Sequence, residues 1–236
     1  MRLREAGLPT GPDKAQVVRS MFDAISVRYE TVNAIVSMGM DRGWRRHCVD
    51  ALDLAPGSMV LDVACGTGDL CRELRRHLMK PVGLDLSAGM LARAGTATPL
   101  LLADALAAPF GAARFDGAVS GFALRNVVDL GALFSELARV VRPGGRISLL
   151  DLSRPQAAPL RFGHRLWCDY AVPLVGALLS DARAYRYLPR SLAYLPPTAQ
   201  IVELLEAAGF TAVEHSPLSG GISQLFVATR RAEAQP

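Results

Sequence analysis

Three acids close three apolar runs in the first half of the chain. Asp62 lies inside "VLDVACGTGDL" (Val60–Leu70), Asp85 follows "PVGL", and Asp104 ends "PLLLAD". Gly66-Thr67-Gly68 stands just after the first acid. An apolar strand, a glycine turn and a helix together make a nucleotide-binding arrangement. Dinucleotide turns carry a third glycine for close helix–strand packing. Here that position is Cys71. A carboxylate facing the turn repels a pyrophosphate and attracts a cation. S-adenosylmethionine (SAM) carries an ammonium and a sulfonium and no phosphate, so it is the expected cofactor. Asp62, Gly66, Thr67 and Gly68 are expected to hold it. Asp85 is placed to accept the ribose hydroxyls and Asp104 the adenine amino group. Ala105 and Gly121 complete the expected cofactor set. A single strand-end Asp is readily explained as a helix cap, but three in register at the carboxyl edge describe a site.

The elements that must position these acids follow from periodicity. Val17, Val18, Met21, Phe22, Ile25 and Tyr29 recur at helical spacing, and "DRGWRRHCVDAL" reads as a further helix with Asp41 as cap. From Ser58 the pattern alternates. Strands are predicted in "MVLDVA", "PVGLDL", "PLLLAD", "FDGAVSGFAL" and "RISLLDL", with helices in "DLCRELRRHL", "AGMLARAG" (capped by Ser87) and "LGALFSELARVV". "RPGG" reads as a turn. "PPTAQIVELLEAAGF" predicts a helix with Thr198 as cap and Gly209 as stop, and two strands close the chain. The fold class is α/β, a doubly wound, mostly parallel seven-stranded sheet of Rossmann-like type. One domain covers residues 1–236: an N-terminal helical cap (1–55), a SAM-binding core (56–152), an inserted helical cap (153–197), and a C-terminal helix and strands (198–236).

Composition excludes other classes. The formal charge of +4 over 236 residues is mild, and no window mixes aromatic and basic residues as an RNA-binding module does. No nucleic-acid partner is expected. Cys48, Cys65, Cys71 and Cys168 form no C-x-x-C pair and no zinc spacing, so no metal is expected and the thiols read as reduced and cytoplasmic. The N-terminus lacks the apolar stretch of a signal peptide. "AVPLVGALL" falls well short of the roughly 20 residues needed to span a bilayer. Any membrane contact is therefore peripheral. The inserted cap carries six Arg and four of the five Tyr. Each basic residue contributes about 1 kcal/mol at an anionic lipid surface if it shares a face with the others. Nothing in the sequence sets the oligomeric state; a homodimer is compatible with it.

"VLDVACGTGD", "GLDLS", "LLADALAAPF" and "RVVRPGGRISLLDL" resemble the motifs of class I SAM-dependent methyltransferases. The flanks are more specific. "FDAISVRYETVNAIVSMGMDRGWRR", "GFALRNVVD", "DARAYRYLPRSL" and "LSGGI" resemble segments of the ubiquinone/menaquinone biosynthesis C-methyltransferase family, in the family's order, from Phe22 nearly to the end. The chain departs from it at Glu30, Ala123 and Cys65. The resemblance implies C-methylation of a demethylated prenyl quinol, most plainly demethylmenaquinol, at the inner face of the membrane. An electron-rich quinol ring is the nucleophile; the quinone is not.

The resemblance and its place beyond strand four make Arg125 the first catalytic candidate. A guanidinium stays protonated, so it stabilises a phenolate rather than acting as base. A structural alternative pairs it with Asp129. Asp69 is its expected partner through water, and equally a group for the SAM ammonium or a cap. Tyr29, Asn33, Asn126, Tyr185 and Tyr187 are the acceptor-pocket candidates, since rings with polar tips suit a hydroxylated apolar ring. His164 and His215 read as surface or packing residues. Competing readings are a methyltransferase for a soluble aromatic, a nicotinamide-dependent oxidoreductase, and a non-catalytic SAM-fold protein. Asp62 and Cys71 disfavour the second, and the intact turn disfavours the third.

Overall fold

Val60, Leu61, Asp62 and Val63 are all buried in the computed structural model, which describes residues 11–172 and 191–232. A strand buried on both faces belongs to the middle of a sheet covered by helices on each side. The strands are β1 (Met59–Val63), β2 (Lys80–Asp85), β3 (Leu100–Leu102), β4 (Phe115–Gly121), β5 (Val141–Leu152), β6 (Phe210–Leu218) and β7 (Ser223–Arg230). They form one seven-stranded sheet in the order β3-β2-β1-β4-β5-β7-β6. The first five run parallel, and β7 is antiparallel to both β5 and β6. The chain winds outward from β1 to β3, then restarts beside β1 with β4. The β1/β4 seam is the point where ligands bind in such sheets.

The helices are α1 (Gly11–Ile25), α2 (Tyr29–Val36), α3 (Met40–Asp50), α4 (Asp69–Arg76), α5 (Ala88–Leu91), α6 (Leu130–Val140), α7 (Ala158–Leu166) and α8 (Thr198–Ala207). Side-chain alternation along the strands splits the core in two. Leu149 and Phe226 join Leu133, Phe134 and Leu137 of α6 and Ile201 and Leu205 of α8 on one face. Leu150 and Leu225 join Trp44, Cys48 and Val49 of α3 and Leu70 and Leu74 of α4 on the other. A third, small cluster of Ile25, Val32 and Val172 joins the N-terminal helices to the cap.

Two polar contacts fasten α1 over the carboxyl edge. Lys14 Nζ donates to Val127 O (2.7 Å) and lies 4.1 Å over the Tyr194 ring. Asp23 accepts from Ser87 Oγ (2.5 Å) and Gly89 N–H (2.9 Å). Trp167 Nε1–H donates to Val36 O (3.0 Å), tying the segment after α7 to α2.

Several expected boundaries shift. Asp41 is not a cap: Gly39, in the left-handed conformation, precedes α3, and Asp41 turns to Ser37 and Arg45. Thr198 is the first residue of α8, because Pro197 takes the cap position. Ser87 does cap α5, accepting from Met90 N–H. "RPGG" is a bulge at the start of β5 rather than a turn before it. Val141 pairs with Phe115 and Arg146 with Gly117, so Arg142–Gly145 loop out opposite Asp116 alone.

Gly117 shows how tightly β4 meets β5. A Cβ there would sit 2.6 Å from Arg146 O and 2.7 Å from Leu54 Cδ1. Backbone cannot yield as a side-chain tip does. Gly117→Ala is expected to lower stability by about 1–3 kcal/mol, read as a lower urea midpoint at unchanged slope.

Candidate active site

Three cavities meet at the carboxyl ends of β1, β2 and β4. The first, about 150 Å³, is bordered by Gly66, Asp85, Ser87, Met90, Asp104, Ala105, Gly121 and Asn126 and covered by Val18, Arg19 and Phe22 of α1. Asp85 accepts from Gly66 N–H (2.8 Å) and Ser87 N–H (2.8 Å). Burial pushes its carboxyl up, although these amides oppose it. Asp104 lies two residues beyond β3, is exposed, and accepts from Leu106 N–H (2.9 Å).

The second cavity is small, about 30 Å³, and is lined by Asp62, Cys65, Gly66, Thr67 and Asp69, among others. Asp62 Oδ2 accepts from the Cys71 thiol (3.1 Å). Its Oδ1 and the Thr67 hydroxyl are buried without a hydrogen-bond partner among the described residues. Burial pushes the Asp62 carboxyl up to about 7, against the Cys71 hydrogen bond. Orphaned buried oxygens are rare and call for a ligand or water. Two of them, one acidic, fit an ammonium donor. The turn above is made by Gly68, with φ at +82°, directly before α4. Gly83 of β2 passes close to this turn: a Cβ there would lie 2.8 Å from Cys65 Sγ.

The third cavity, about 370 Å³, has apolar walls from α1, α2 and the cap: Met21, Ile25, Val36, Leu160, Trp167 and Val172. Its polar side chains are joined around Tyr29. Burial raises the Tyr29 phenol, while Asn33, which hydrogen-bonds it, and the nearby Arg45 and Arg125 cations act in the opposite direction. Arg45 pairs with Asp41 and, at 2.9 Å, with Asp69. Burial acts to raise Asp41, but Arg45 and Ser37 outweigh it and hold the carboxyl low. Tyr29 and Phe122 border all three cavities. Phe122 does so from a strained position, φ +61°, at the end of β4, and Ala64 (φ +56°) mirrors it after β1.

Arg125 is 3% exposed. Its partner is Asp151 at the end of β5, not Asp129, which instead caps α6 through Ala132 N–H. Nε also reaches Ser191 Oγ (3.2 Å) and Nη1 reaches Phe122 O (2.7 Å). Nη2 has no partner among the described residues, and Arg125 borders the apolar cavity. Asp69 is held between Arg45 and Arg72 and makes no side-chain cap for α4. Asn126 does not border the apolar cavity that Tyr29 and Asn33 line; it borders the Asp85–Asp104 cavity, which Tyr29 shares. Tyr185 and Tyr187 lie outside the described residues. His164, read as a surface or packing residue, borders the apolar cavity, and burial lowers its imidazole. His215 packs on Phe226 and meets Gln224, as expected.

Sequence reasoning passed over Arg45 and Asp151, and took Asp41 for a cap alone. Each had a signal. Asp41 and Arg45 stand at i and i+4 of a helix. Asp151 ends a strand, the criterion applied to Asp85 and Asp104.

The family model described as the ubiE/COQ5 methyltransferase family matches residues 11–230. A demethylmenaquinone methyltransferase of Roseiflexus castenholzii is 37% identical, covering 95% of this chain and 98% of its own. One of Mycolicibacterium vanbaalenii is 40% identical, covering 90% and 94%. Among solved structures, the [4+2]-cyclase SpnF superposes with a TM-score of 0.68 at 16% identity, covering 97% of this chain and 100% of that one. At that identity the likeness is one of fold.

A carboxyl at about 7 when folded, against an ordinary 3.8, binds protons in the native state that the unfolded chain releases. Stability of the ligand-free chain therefore falls as pH rises from about 4 to 7, by at most about 1.4 kcal/mol per unit. Asp62→Asn is expected to remove this slope, so its melting temperature gains on the native chain between pH 5 and pH 8.

Proposed function

The chain belongs to the ubiE/COQ5 methyltransferase family and is a SAM-dependent methyltransferase, and we propose that its acceptor is a demethylated prenyl quinol, demethylmenaquinol first. The observation that carries this reading is the 370 Å³ apolar cavity whose polar groups gather around Tyr29, beside the cofactor side of the sheet. A hydroxylated ring fits the polar cluster, and an isoprenoid chain fits the walls of Met21, Ile25, Leu160 and Trp167. The names of the relatives support the same acceptor.

SAM, when bound, supplies an electrophilic methyl group on its sulfonium. Asp62 and Thr67, with Gly66 and Gly68, would hold its amino-acid end. Asp85 would take the ribose hydroxyls, and Asp104 and Ala105 the adenine, with Gly121 bordering the same cavity at the end of β4. Phe122 and Tyr29 border both the cofactor-side cavities and the acceptor cavity, so they would line the passage through which the two reactants meet. The chain's contribution is alignment and exclusion of water. Arg125 stabilises the developing phenolate with the donors of Nη2, while Asp151 fixes its plane. Asn33 and Tyr29 orient the ring hydroxyls. Asp69 receives the ring proton through water.

The cavity mouth supports a peripheral membrane footing. None of the nine residues of α7 is buried. Phe162 is 67% exposed, Leu166 and the following Tyr170 are exposed, and Arg161 and Arg165 stand among them. The same helix borders the acceptor cavity through Leu160 and His164. Basic and apolar groups on one short helix fit an anionic leaflet. No helix among the described residues is long and apolar enough to cross a membrane.

Incubation with methyl-labelled SAM and chemically reduced demethylquinones tests the reaction. Label should pass to the quinol and not to the quinone; label retained in SAM refutes the acceptor. Arg125→Lys keeps a charge against Asp151 and loses the planar donors, so kcat should fall about 10²-fold with SAM affinity unchanged. Phe162→Asp should abolish sedimentation with anionic liposomes at low salt and leave turnover of a short-chain quinol intact.

A further inference from the structure

C-methylation releases a proton inside a cavity built to exclude water. When the new C–CH3 bond forms at the acceptor ring, the ring C–H bond must break. Its electron pair restores the aromatic ring and its proton has to leave. The apolar walls offer it no route. One side of the site does. A polar cavity of about 450 Å³ adjoins it, lined by Glu30, Ala34, Asp41, Arg45, Asp69 and Arg72 among others. Arg45 borders this cavity and both the acceptor and the small Asp62 cavity, and Asp69 borders this one and the small one.

The charges lining it form a ladder of alternating sign. Arg45 pairs with Asp69, Asp69 with Arg72, and Arg72 with Glu30 (2.8 Å). Side-chain exposure grows along it, from 9% at Arg45 to 27% and 26% at Asp69 and Arg72 and 52% at Glu30. A buried charge is costly unless it is paired. A ladder that keeps every charge paired lets a water-filled passage reach deep into the fold. Ala34, on α2, is the small residue that leaves it open.

Building on the quinol reading, we infer that this polar cavity is the proton exit of the methyl transfer, with Asp69 at its inner end and Glu30 at its outer end. The proton passes from the ring carbon to water held at Asp69 and then along water in the cavity to bulk solvent. Arg45 and Arg72 are positioning residues, which fix the Asp69 carboxylate between the small cavity and the polar one. No further reactant is required, since the sulfonium's positive charge becomes the charge of the released proton.

The test is to block the passage without touching the reacting groups. Ala34→Leu fills it from a half-buried position on α2. SAM affinity and acceptor KM should stay within about twofold, while kcat falls about tenfold, less than the 10²–10⁴ typical of losing a positioned proton acceptor. The decisive readout is the isotope effect on kcat with an acceptor deuterated at the methylated carbon. It should be near unity in the unaltered chain, where methyl transfer limits, and clearly above unity in Ala34→Leu, where proton loss limits. Glu30→Gln, at a half-exposed site that folding tolerates, should give a smaller shift in the same direction. An active unaltered chain with variants whose kcat and isotope effect do not move overturns the exit alone. An unaltered chain that leaves the reduced quinol unmethylated overturns the acceptor reading and the exit with it.

Discussion

The parallel pairing of β1 with β4 is the constraint on which the rest of the molecule depends. Winding reverses there, so the helices that follow the two strands diverge to opposite faces and leave a crevice above the strand ends. The price of that crevice is paid in backbone strain, at Ala64 after β1 and Phe122 after β4. It is also seen in polar atoms left buried without partners, at Asp62 and Thr67. Strained backbone and unmet hydrogen bonding thus lie together where the winding reverses, although the sheet itself is continuous through the β1–β4 pair.

Around the crevice, charge is handled in two different ways. On the cofactor side an isolated carboxyl, Asp62, is buried next to a thiol, and its ionisation is made difficult. On the acceptor side the buried charges among the described residues meet counter-charges: Arg125 with Asp151, Arg45 with Asp41 and Asp69. The first arrangement awaits a cation from outside the chain. The second is complete within it and is suited to holding donors in fixed positions against an apolar ligand. A site that binds one cationic and one greasy molecule needs both.

The sheet from Ser58 to Asp151 was legible because each strand is a short apolar run ending at a turn residue and each helix repeats at its own period. The strand-end acids were legible for the same reason, as Asp85 and Asp104 stand where the pattern stops. Boundaries failed where backbone geometry overrode side-chain preference, as with Gly39 and Pro197 displacing the expected caps Asp41 and Thr198. The partner of Arg125 was misjudged because proximity in sequence favoured Asp129, whereas the carboxylate that meets it is 26 residues away on β5. Periodicity reports which face of an element is buried. It carries no record of which distant element covers that face, and the polar cluster around Tyr29 is made by such coverings. The grouping of α2, α3 and α4 into one charge ladder is of this kind.

α1 spans the crevice from above. Its residues close the cofactor cavity at Val18 and Arg19 and the acceptor cavity at Met21 and Ile25, with Phe22 bordering both. It is anchored by Lys14 at one end and Asp23 at the other. A single fifteen-residue helix thus lines both compartments. For anyone handling the protein, this turns the N-terminus into part of the instrument. An affinity tag or fusion partner placed at that end is joined on the side of the helix that lines both compartments, whereas one placed after β7 follows a strand that lines none of the three site cavities.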